Sequence, residues 1–361
     1  MKTGYSPGVE INLVSLCENA ELLKKTVGDF YCVLKCDAYG HGDRQCAEAL
    51  SLAGFDRFAV FSVSEAERIR KYSKEILILG RSEPEIAEFE AERGYIQTVS
   101  SLEYLEILGN RSVIPRVHLK LDCGMNRSGF RCSPDLIAGK LGKVRDRVCG
   151  IYTHFHSADC PDIGETEAEL SEFRTKSDAV EVLVGRKLLR HAAASAAALR
   201  LPDSRFDLSR MGIALYGCVP DCCPSVGLIP VMKFYGRVTE LRYVRKGENI
   251  GYGTGNRAAR DMLVAMAAAG YSSGLRRELY RGGKPRLNGY PVSFAGKICM
   301  DRCMLDVTDA AENGIFPKTG DIVEFFGERT PVSEAAKAAG TISYELLTNV
   351  GGCCKNKIWK K

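Results

Sequence analysis

The clearest chemical signal in the sequence is a lysine at the end of an apolar run. Residues 30–34 (Phe-Tyr-Cys-Val-Leu) are typical of a buried strand, and Lys35 follows them directly, ahead of Cys-Asp-Ala-Tyr-Gly-His-Gly. A lysine that leaves a hydrophobic strand is partly desolvated, which lowers its pKa and favours the nucleophilic neutral amine. Lys35 is therefore a candidate Schiff-base amine. An ion-paired lysine, or one that packs its methylene groups on the strand, would produce the same local pattern.

A histidine lies at the end of another such run, at residues 150–154. His154 there is either an acid-base group or only a packed side chain. Strand alternation would place His156 on the same face, so a pair of metal ligands is conceivable. No histidine follows His191 and no Cys-x-x-Cys pair occurs, so we predict no metal site.

Short β-rich runs alternate with amphipathic helical stretches between about residues 29 and 217. In the second unit, residues 64–67 (Ser-Glu-Ala-Glu) are expected to form a capping box that starts a helix. About eight alternations favour an α/β fold, a (β/α)₈ TIM barrel, with an open doubly wound sheet as the alternative. The predicted strands lie at residues 30–34, 58–63, 76–79, 95–99, 117–121, 150–154 and 188–191, with a turn around 207–210.

Beyond about residue 228 the pattern changes to β runs and turns. These β runs and turns lie at residues 234–241, 249–253, 263–269, 291–294, 304–307 and 322–326. Residues 218–230, with their prolines and paired cysteines, are the predicted linker. We therefore expect a barrel domain over residues 1–228 and a mostly β C-terminal domain over residues 229–361.

Composition excludes several classes of protein. The chain has 361 residues, 45% hydrophobic and 26% charged, which is typical of soluble globular proteins. Its 50 basic and 45 acidic residues are interspersed, so no nucleic-acid partner is expected. No apolar run approaches the roughly 18 residues that a membrane span needs, and the first residues lack the apolar stretch of a secretory signal. The fifteen irregularly spaced cysteines indicate reduced thiols. We expect a cytoplasmic protein, or the cytoplasmic domain of a longer membrane protein.

Motifs along nearly the whole chain resemble those of the alanine racemase family, in the family's order. The Lys35 segment resembles the lysine motif that binds pyridoxal 5'-phosphate (PLP), and further matching segments lie at residues 117–130, 152–155, 195–196, 210–217, 270–271 and 298–301. Each segment alone is weakly specific, but together and in this order they are specific to the family. The resemblance implies a barrel followed by a β domain, PLP as the cofactor, and a homodimer with shared active sites.

The resemblance also assigns the groups that handle the proton. Lys35 would bind PLP covalently and be one of two bases on opposite faces of the substrate Cα. Tyr271, supplied by the second subunit, would be the other base. A free phenol titrates near about pH 10, so it acts as a base at neutral pH only if cationic neighbours lower its pKa. His154 would be the partner of this tyrosine, and Arg210 would hydrogen-bond the pyridine nitrogen of the cofactor.

Other matched residues are implied to bind the cofactor and the substrate. The phosphate ligands would be Tyr39, Ser195 and the backbone amides of Gly212 and Ile213. Arg127 would contact both the phenolic oxygen of the cofactor and the substrate carboxylate.

Three further residues lie in matched segments. Lys120 matches a lysine that is carboxylated in some relatives, although an ion pair with Asp122 fits the spacing equally well. Met300 and Asp301 match the segment that reaches the neighbouring subunit's active site, where Met300 would contact substrate and Asp301 would belong to the catalytic group.

The sequence departs from the family's pattern at several positions. Ala194 precedes Ser195 where the family usually has asparagine, and Ser273 replaces the usual aspartate after the catalytic tyrosine. Residues 351–357 (Gly-Gly-Cys-Cys-Lys-Asn-Lys) replace a segment that usually carries a tyrosine narrowing the substrate pocket. No tyrosine follows Tyr344, and a roomier pocket would admit serine.

The favoured function is PLP-dependent racemisation of L-alanine to D-alanine for cell-wall precursor synthesis. The first alternative is serine racemisation, as in the domains of vancomycin-resistance proteins that follow a membrane segment. Zinc-assisted D-amino-acid dehydratases and aldolases share the architecture but need a metal site. Non-enzymatic PLP carriers resemble the barrel alone, and a racemase fold without turnover remains a further alternative.

Overall fold

The computed structural model describes residues 5–361. Its strands are β1 (Gly8–Asn12), β2 (Phe30–Val33), β3 (Arg57–Val60), β4 (Glu75–Ile78), β5 (Ile96–Val99), β6 (Arg116–Lys120), β7 (Val148–Tyr152), β8 (Leu189–His191), β9 (Ser209–Met211), β10 (Met232–Val244), β11 (Met262–Ala267), β12 (Arg286–Leu287), β13 (Tyr290–Pro291), β14 (Ser293–Phe294), β15 (Cys303–Asp306), β16 (Ile322–Phe326) and β17 (Lys357–Lys360). Its helical segments are α1 (Leu13–Val27), α2 (Lys35–Tyr39), α3 (Asp43–Leu52), α4 (Val63–Ile69), α5 (Ala87–Arg93), α6 (Leu102–Gly109), α7 (Pro134–Lys140), α8 (Gly164–Val184), α9 (Ser195–Arg200), α10 (Thr308–Glu312), α11 (Val332–Ala338) and α12 (Ser343–Cys353).

Strands β2 to β9 form an eight-stranded parallel sheet in the order β8-β7-β6-β5-β4-β3-β2-β9. A parallel bridge between Ala194 and Arg210 joins the two ends of this order and closes the barrel. The predicted TIM barrel followed by a mostly β domain is confirmed, and the alternative of an open sheet is wrong. All residues of β2 and β5 are buried, as expected for parallel strands covered by helices on one face and by core side chains on the other.

Two local predictions in the barrel are wrong. The predicted turn at residues 207–210 contains the start of β9, which pairs with β2 but is too short to show a period in the sequence. The capping box joins Ser62 and Glu65, because β3 ends at Val60 and the chain turns before residue 64. The Ser62 hydroxyl accepts the Glu65 amide at 3.4 Å, and the Glu65 carboxylate accepts the Ser62 amide at 3.2 Å.

The second sheet is mostly antiparallel and has the main order β13-β12-β16-β10-β11-β15-β14. Strand β1 also joins it, antiparallel to β10 and parallel to β17, so the two ends of the described chain lie side by side. Residues 249–253, expected among the β runs and turns, form a loop in which Gly251 and Gly253 have φ of 67° and 96°. The boundary near residue 228 stays a prediction.

The helices and the cysteines can be compared with the expectations from composition. Among residues 5–361, no helix combines the length and the apolar character needed to cross a membrane. The fifteen cysteines are all free thiols.

Helix α12 packs against the segment that follows β2, backbone to backbone. A Cβ added to Gly351 would lie 2.3 Å from the Cα and the carbonyl oxygen of Gly40. A Cβ added to Gly40 would lie 2.6 Å from the carbonyl oxygen of Leu347. Neither glycine can be replaced without moving one backbone away from the other. The neighbouring Gly352, in contrast, has no atom within 4 Å of an added Cβ.

This contact predicts opposite effects for two adjacent substitutions. Gly351→Ala should lower the free energy of unfolding by about 1–3 kcal/mol, because the added methyl group overpacks the contact. Gly352→Ala should raise it by about 0.5–1 kcal/mol, because alanine has the higher helix propensity and the position is open. Urea denaturation of both variants measures the two changes. A stabilising effect of Gly351→Ala would contradict the close packing.

Candidate active site

The predicted barrel residues meet at the carboxyl ends of the parallel strands. Lys35 follows β2, Lys120 ends β6, His154 follows β7 and Arg210 lies in β9. Parallel barrel strands present these ends at one mouth, so the side chains converge. Burial lowers the pKa of His154, and the positive charges of Arg210, Arg127, Lys120 and Lys35 all lower it further. We call these five residues the barrel-mouth cluster.

The backbone directly after Lys35 is left-handed. Four consecutive non-glycine residues have φ between 53° and 55°, namely Cys36, Asp37, Ala38 and Tyr39. We call residues 36–39 the left-handed turn. This region costs L-residues roughly 1–2 kcal/mol each, so the turn needs stabilising contacts. The Ala38 amide donates to the Leu34 carbonyl at 2.9 Å, and the Cys36 amide donates to the Glu65 carboxylate at 2.7 Å.

The Lys35 amine has a lowered pKa. Burial is the main cause, and the charges of Arg127 and Arg210 lower the pKa further, whereas Cys36 and Glu65 oppose the change. The neutral amine is therefore more populated at neutral pH than in an exposed lysine. A neutral amine can attack an aldehyde or accept a proton.

Arg210 is the most constrained member of the cluster, with only 4% of its surface exposed. Its Nη1 donates to His191 Nδ1 at 2.8 Å and to the His191 carbonyl at 3.1 Å. Its Nη2 donates to the carbonyls of Thr153 and Ala192 at 2.8 and 2.9 Å and lies 3.2 Å from His154 Nδ1. Burial lowers its pKa to about 10, so it stays protonated at neutral pH. Within residues 5–361 its Nε–H has no acceptor and is the donor left for a ligand.

Two buried histidines extend this network behind Arg210. Because His191 Nδ1 accepts from Arg210, we assign its proton to Nε2, which lies 2.9 Å from His118 Nδ1. Burial, together with the charge of Arg210, holds the pKa of His191 well below its ordinary value and lowers that of His118 to about 3. The Tyr152 ring stacks on His191 with the ring centroids 4.6 Å apart. These neutral rings fix the orientation of the guanidinium.

The predicted phosphate ligands lie together beside this network. The Ser195 hydroxyl accepts the amides of Gly212 and Ala214 at 3.2 and 3.3 Å. A Cβ at Gly212 would lie 2.6 Å from the Tyr39 hydroxyl oxygen, so the absence of a side chain lets the loop and the tyrosine meet. Ile213 starts the 3₁₀ helix Ile213–Tyr216, where backbone amides lack intrahelical acceptors. Amides and hydroxyls of this kind suit a phosphate.

Lys120 is buried but has no ion pair among the described residues. Its Nζ lies 5.9 Å from the centroid of the Tyr152 ring. Asp122 accepts the amides of Gly124 and Asn126 at 3.2 and 3.0 Å. The Lys120–Asp122 ion pair, one of the two alternatives for Lys120, is not formed among the described residues. Burial lowers the pKa of Lys120 to about 8, and the neighbouring cations contribute.

His154 and His156 have separate partners. Strand β7 ends at Tyr152, so the alternation assumed from the sequence does not reach His156. His156 lies 2.9 Å from carboxylate oxygens of both Glu165 and Glu169. Over residues 5–361, no group of three or more His, Cys, Asp or Glu side chains is placed to hold a metal ion.

The remaining predicted residues form a second group, on the surface of the β domain. Tyr271 is 46% exposed and Met300 is 55% exposed. The Tyr271 amide donates to the Cys299 carbonyl at 3.1 Å, and the Ser272 hydroxyl donates to the Asp301 carboxylate at 2.7 Å. The segments that carry Tyr271, Met300 and Asp301 are thus tied together. In the described part of the chain, no hydrogen bond, ion pair or ring contact joins this surface group to the barrel-mouth cluster.

The barrel-mouth cluster fits the chemistry of PLP. An aldehyde requires a neutral amine, a phosphate requires hydroxyl and amide donors, and an unprotonated pyridine nitrogen requires a donor. Lys35 can supply the amine, and Ser195, Tyr39 and Gly212 form a cradle that a Cβ would fill. The hydrogen bonds of Arg210 leave its Nε–H, which has no acceptor among residues 5–361, as the remaining donor.

Sequence reasoning missed three residues near this site. His191 ends a barrel strand at the same mouth as His154, and that position was the available signal. Glu65 links the cap of α4 to the left-handed turn, which no local motif indicates. The Tyr344 ring lies 6.0 Å, centroid to centroid, from the ring of Tyr39, a contact between segments far apart in sequence.

A cavity of about 490 Å³ lies elsewhere, against β10, β12 and β16. Residues of both chain ends contribute to its lining, including Glu10 and Lys360. No member of the barrel-mouth cluster and no residue of the surface group lines it.

The shared electrostatics of the barrel mouth lead to a testable prediction. Arg127→Gln should raise the pKa of Lys35, because removing a nearby cation stabilises the protonated amine. Competitive acylation of the full chain across pH, followed by peptide mass spectrometry, measures the change. Arg131→Gln, an exposed arginine on the same loop, is the matched control. Equal labelling curves for Lys35 in both variants would contradict the proximity of Arg127.

Comparison with known proteins covers both domains. Family models described as "Alanine racemase, N-terminal domain" and "Alanine racemase, C-terminal domain" match residues 11–220 and 231–358. The alanine racemase of Desulfovibrio desulfuricans is 34% identical over 358 residues, covering 95% of each chain. That of Desulforamulus reducens is 33% identical over 362 residues, covering 95% of this chain and 96% of its own.

Solved structures agree with the sequence relatives. The biosynthetic alanine racemase of Pseudomonas aeruginosa superimposes with a TM-score of 0.88 at 29% identity, covering 99% of this chain and 100% of its own. The Streptomyces coelicolor enzyme gives a TM-score of 0.89 at 28% identity, covering 98% of both chains. The Bacillus anthracis enzyme, solved with bound L-Ala-P, gives 0.86 at 27% identity, covering 100% of this chain and 96% of its own. With both domain models matched along nearly its full length, this chain belongs to the alanine racemase family.

Proposed function

We propose that this protein is a PLP-dependent racemase that interconverts L-alanine and D-alanine, the latter for cell-wall precursors. The observation that carries the proposal is the barrel-mouth cluster together with the phosphate cradle of Tyr39, Ser195 and Gly212. The cluster supplies a lysine with a lowered pKa and a guanidinium N–H that has no acceptor among residues 5–361. Membership of the alanine racemase family supports the same reaction.

PLP would be held by residues that the sequence resemblance already names. Lys35 would form the covalent link, and Tyr39, Ser195 and the amides of Gly212 and Ile213 would bind the phosphate. When bound, PLP supplies an electron sink that makes the Cα proton of a joined amino acid acidic.

Arg210 determines which reaction the electron sink favours. Its guanidinium remains protonated and only donates hydrogen bonds, so it keeps the pyridine nitrogen unprotonated. Electron withdrawal is then weaker, and return of a proton to Cα competes better with other fates of the substrate. The network of His191 and His118 holds Arg210 in this role.

The two acid-base groups would come from different subunits. Lys35 lies at the barrel mouth of one chain, while Tyr271 lies in the exposed surface group and has no contact with that mouth in the described chain. A homodimer that brings Tyr271, Met300 and Asp301 of one subunit to the barrel mouth of the other would complete the site.

His154 and Lys120 would tune this assembly. Burial and the neighbouring cations hold the pKa of His154 well below its ordinary value, so it is a neutral imidazole able to exchange a proton with Tyr271. Lys120 has a pKa of about 8 and no ion pair among the described residues, which favours carboxylation: the neutral amine would add to dissolved CO2 and release a proton to water. The resulting carbamate would offer a negative partner to Arg127.

Serine is the second candidate substrate. Helix α12 carries Gly351 and Gly352 beside the left-handed turn, and no tyrosine follows Tyr344. The open space at Gly352 favours a pocket with room for the serine hydroxyl.

Side-by-side turnover tests the function and the choice of substrate. PLP-loaded protein should convert L-alanine to D-alanine, measured as D-isomer formed per active site. Lys35→Ala should abolish both the visible absorbance of the lysine-bound cofactor and the conversion, a loss of at least about 10³-fold. Serine conversion equal to or faster than that of alanine would replace the proposed substrate. Unchanged absorbance in Lys35→Ala would refute the cofactor link.

Mixing two inactive variants tests the shared site. Tyr271→Phe should keep the cofactor absorbance but lose conversion in at least one direction. Dimers that combine Lys35→Ala with Tyr271→Phe chains should regain up to about half the wild-type activity per dimer, because one composite site is intact. The sample consists of differently tagged chains purified as verified mixed dimers. Dimers in which both tagged chains carry Lys35→Ala are the control. No regain of activity would argue against sharing.

A further inference from the structure

The left-handed turn is in contact with the last residues of the chain. Strand β17 runs parallel to β1, and its side chains alternate between two faces. On one face, Lys357 Nζ lies 2.9 Å from the Asp37 carboxylate. Two residues on, the Trp359 indole N–H donates to the His41 carbonyl at 2.8 Å. The same face of one short strand therefore binds both the turn and the residues that follow it.

These contacts stabilise the strained conformation of the left-handed turn. Consecutive non-glycine residues stay in a left-handed conformation only where the surrounding structure fixes them. Asp37 is fixed from two sides, because its second oxygen accepts the Asp43 amide at 2.9 Å. The contact with Trp359 is equally close, since a Cβ added to Gly42 would lie 2.9 Å from the indole ring.

The direction of the Lys35 side chain depends on the contacts on both sides of it. On its N-terminal side, the Leu34 amide donates to the Ala59 carbonyl at 2.9 Å and holds the chain to β3. On its C-terminal side, the left-handed turn sets the direction of the chain. If the turn relaxed to right-handed angles, the backbone around Lys35 would rotate and its amine would leave the barrel mouth.

We propose that Lys357 and Trp359 are positioning residues for Lys35, holding the left-handed turn that directs the lysine amine into the barrel mouth. The inference rests on the proposed function, in which Lys35 binds PLP. The C-terminal strand thus acts on the reaction through the turn, without contacting cofactor or substrate.

The opposite face of the same strand offers a matched control. Lys360 Nζ lies 2.6 Å from the Glu10 carboxylate, an ion pair that joins β17 to β1 without touching the turn. Lys357→Met and Lys360→Met make the same chemical change three residues apart. Both remove one ion pair from β17, and only the first removes a contact with the left-handed turn.

The test compares kinetics of the PLP-loaded variants. Lys357→Met should lower kcat for alanine by about 10- to 100-fold, as expected for a misplaced catalytic group, with KM changed by less than about threefold. Lys360→Met should stay within about twofold of wild type in both. Lys357→Arg should recover most of the loss, because a guanidinium can also pair with Asp37. Trp359→Phe, which keeps the ring and removes the donor, should cause a smaller fall in kcat.

A second measurement does not need the cofactor. The pH midpoint for acylation of Lys35 in the full chain should rise in Lys357→Met, because the amine leaves the cationic and partly desolvated mouth, and should not change in Lys360→Met. Trp359 is the single tryptophan of the chain, so its fluorescence reports whether β17 stays docked in the Lys357 and Lys360 variants.

The outcomes separate this inference from the proposed function. The positioning role would be overturned if Lys357→Met and Lys360→Met had the same kcat and the same Lys35 midpoint. This holds whether both variants resemble wild type or both lose activity together with thermal stability. A wild-type protein that neither binds PLP nor racemises alanine would refute the proposed function, while the Lys35 midpoints would still decide the role of Lys357.

Discussion

The burial of one permanently charged group, the Arg210 guanidinium, constrains everything around it. A cation removed from water needs an acceptor for each donor, and two carbonyls and His191 supply most of them. Because these partners must accept, His191 must be neutral, and it passes the constraint to His118 through its other nitrogen. Arg210 also forms the backbone bridge to Ala194 that closes the barrel. Closure of the fold and orientation of the one guanidinium donor left for a ligand are therefore a single requirement.

Arg210 is one of several cations at the barrel mouth. Their combined positive charge affects the pKa values of the lysines and the binding of anions. Lys35, Lys120 and Arg127 add positive charge, and burial together with this charge lowers the pKa of both lysines. The same positive field attracts anions such as a phosphate group and a substrate carboxylate. Once anions bind, they cancel part of the field, and the pKa of Lys35 rises toward its ordinary value. A lysine whose neutral amine is more populated in the free protein than in an exposed lysine would thereby become a stronger proton acceptor in the loaded one.

Much of this arrangement follows from sequence, because buried parallel strands appear as apolar runs and each barrel strand ends at the same mouth. That pattern predicts seven barrel strands and locates Lys35 and His154. It does not predict β9, which is too short for a period, or β1, whose partners β10 and β17 are distant along the chain. The left-handed turn has no local signal either, since Cys36 and Ala38 do not favour that conformation. Lys120 and Asp122 share a spacing that suggests an ion pair, yet backbone amides bind the carboxylate. Local spacing predicts which groups are near each other, while tertiary contacts decide which of them bond.

The division of predicted residues into two groups follows from what racemisation demands. Two acid-base groups must stand on opposite faces of one planar carbon, and the substrate must still reach the space between them. A single rigid barrel mouth that carried both groups would have to open for each substrate molecule. In the proposed dimer, Lys35 is fixed by the left-handed turn of one chain and Tyr271 by the loop that Ser272 ties to Asp301 in the other. In that dimer each base would be rigid within its own subunit, and the gap between the subunits would provide the path for the substrate.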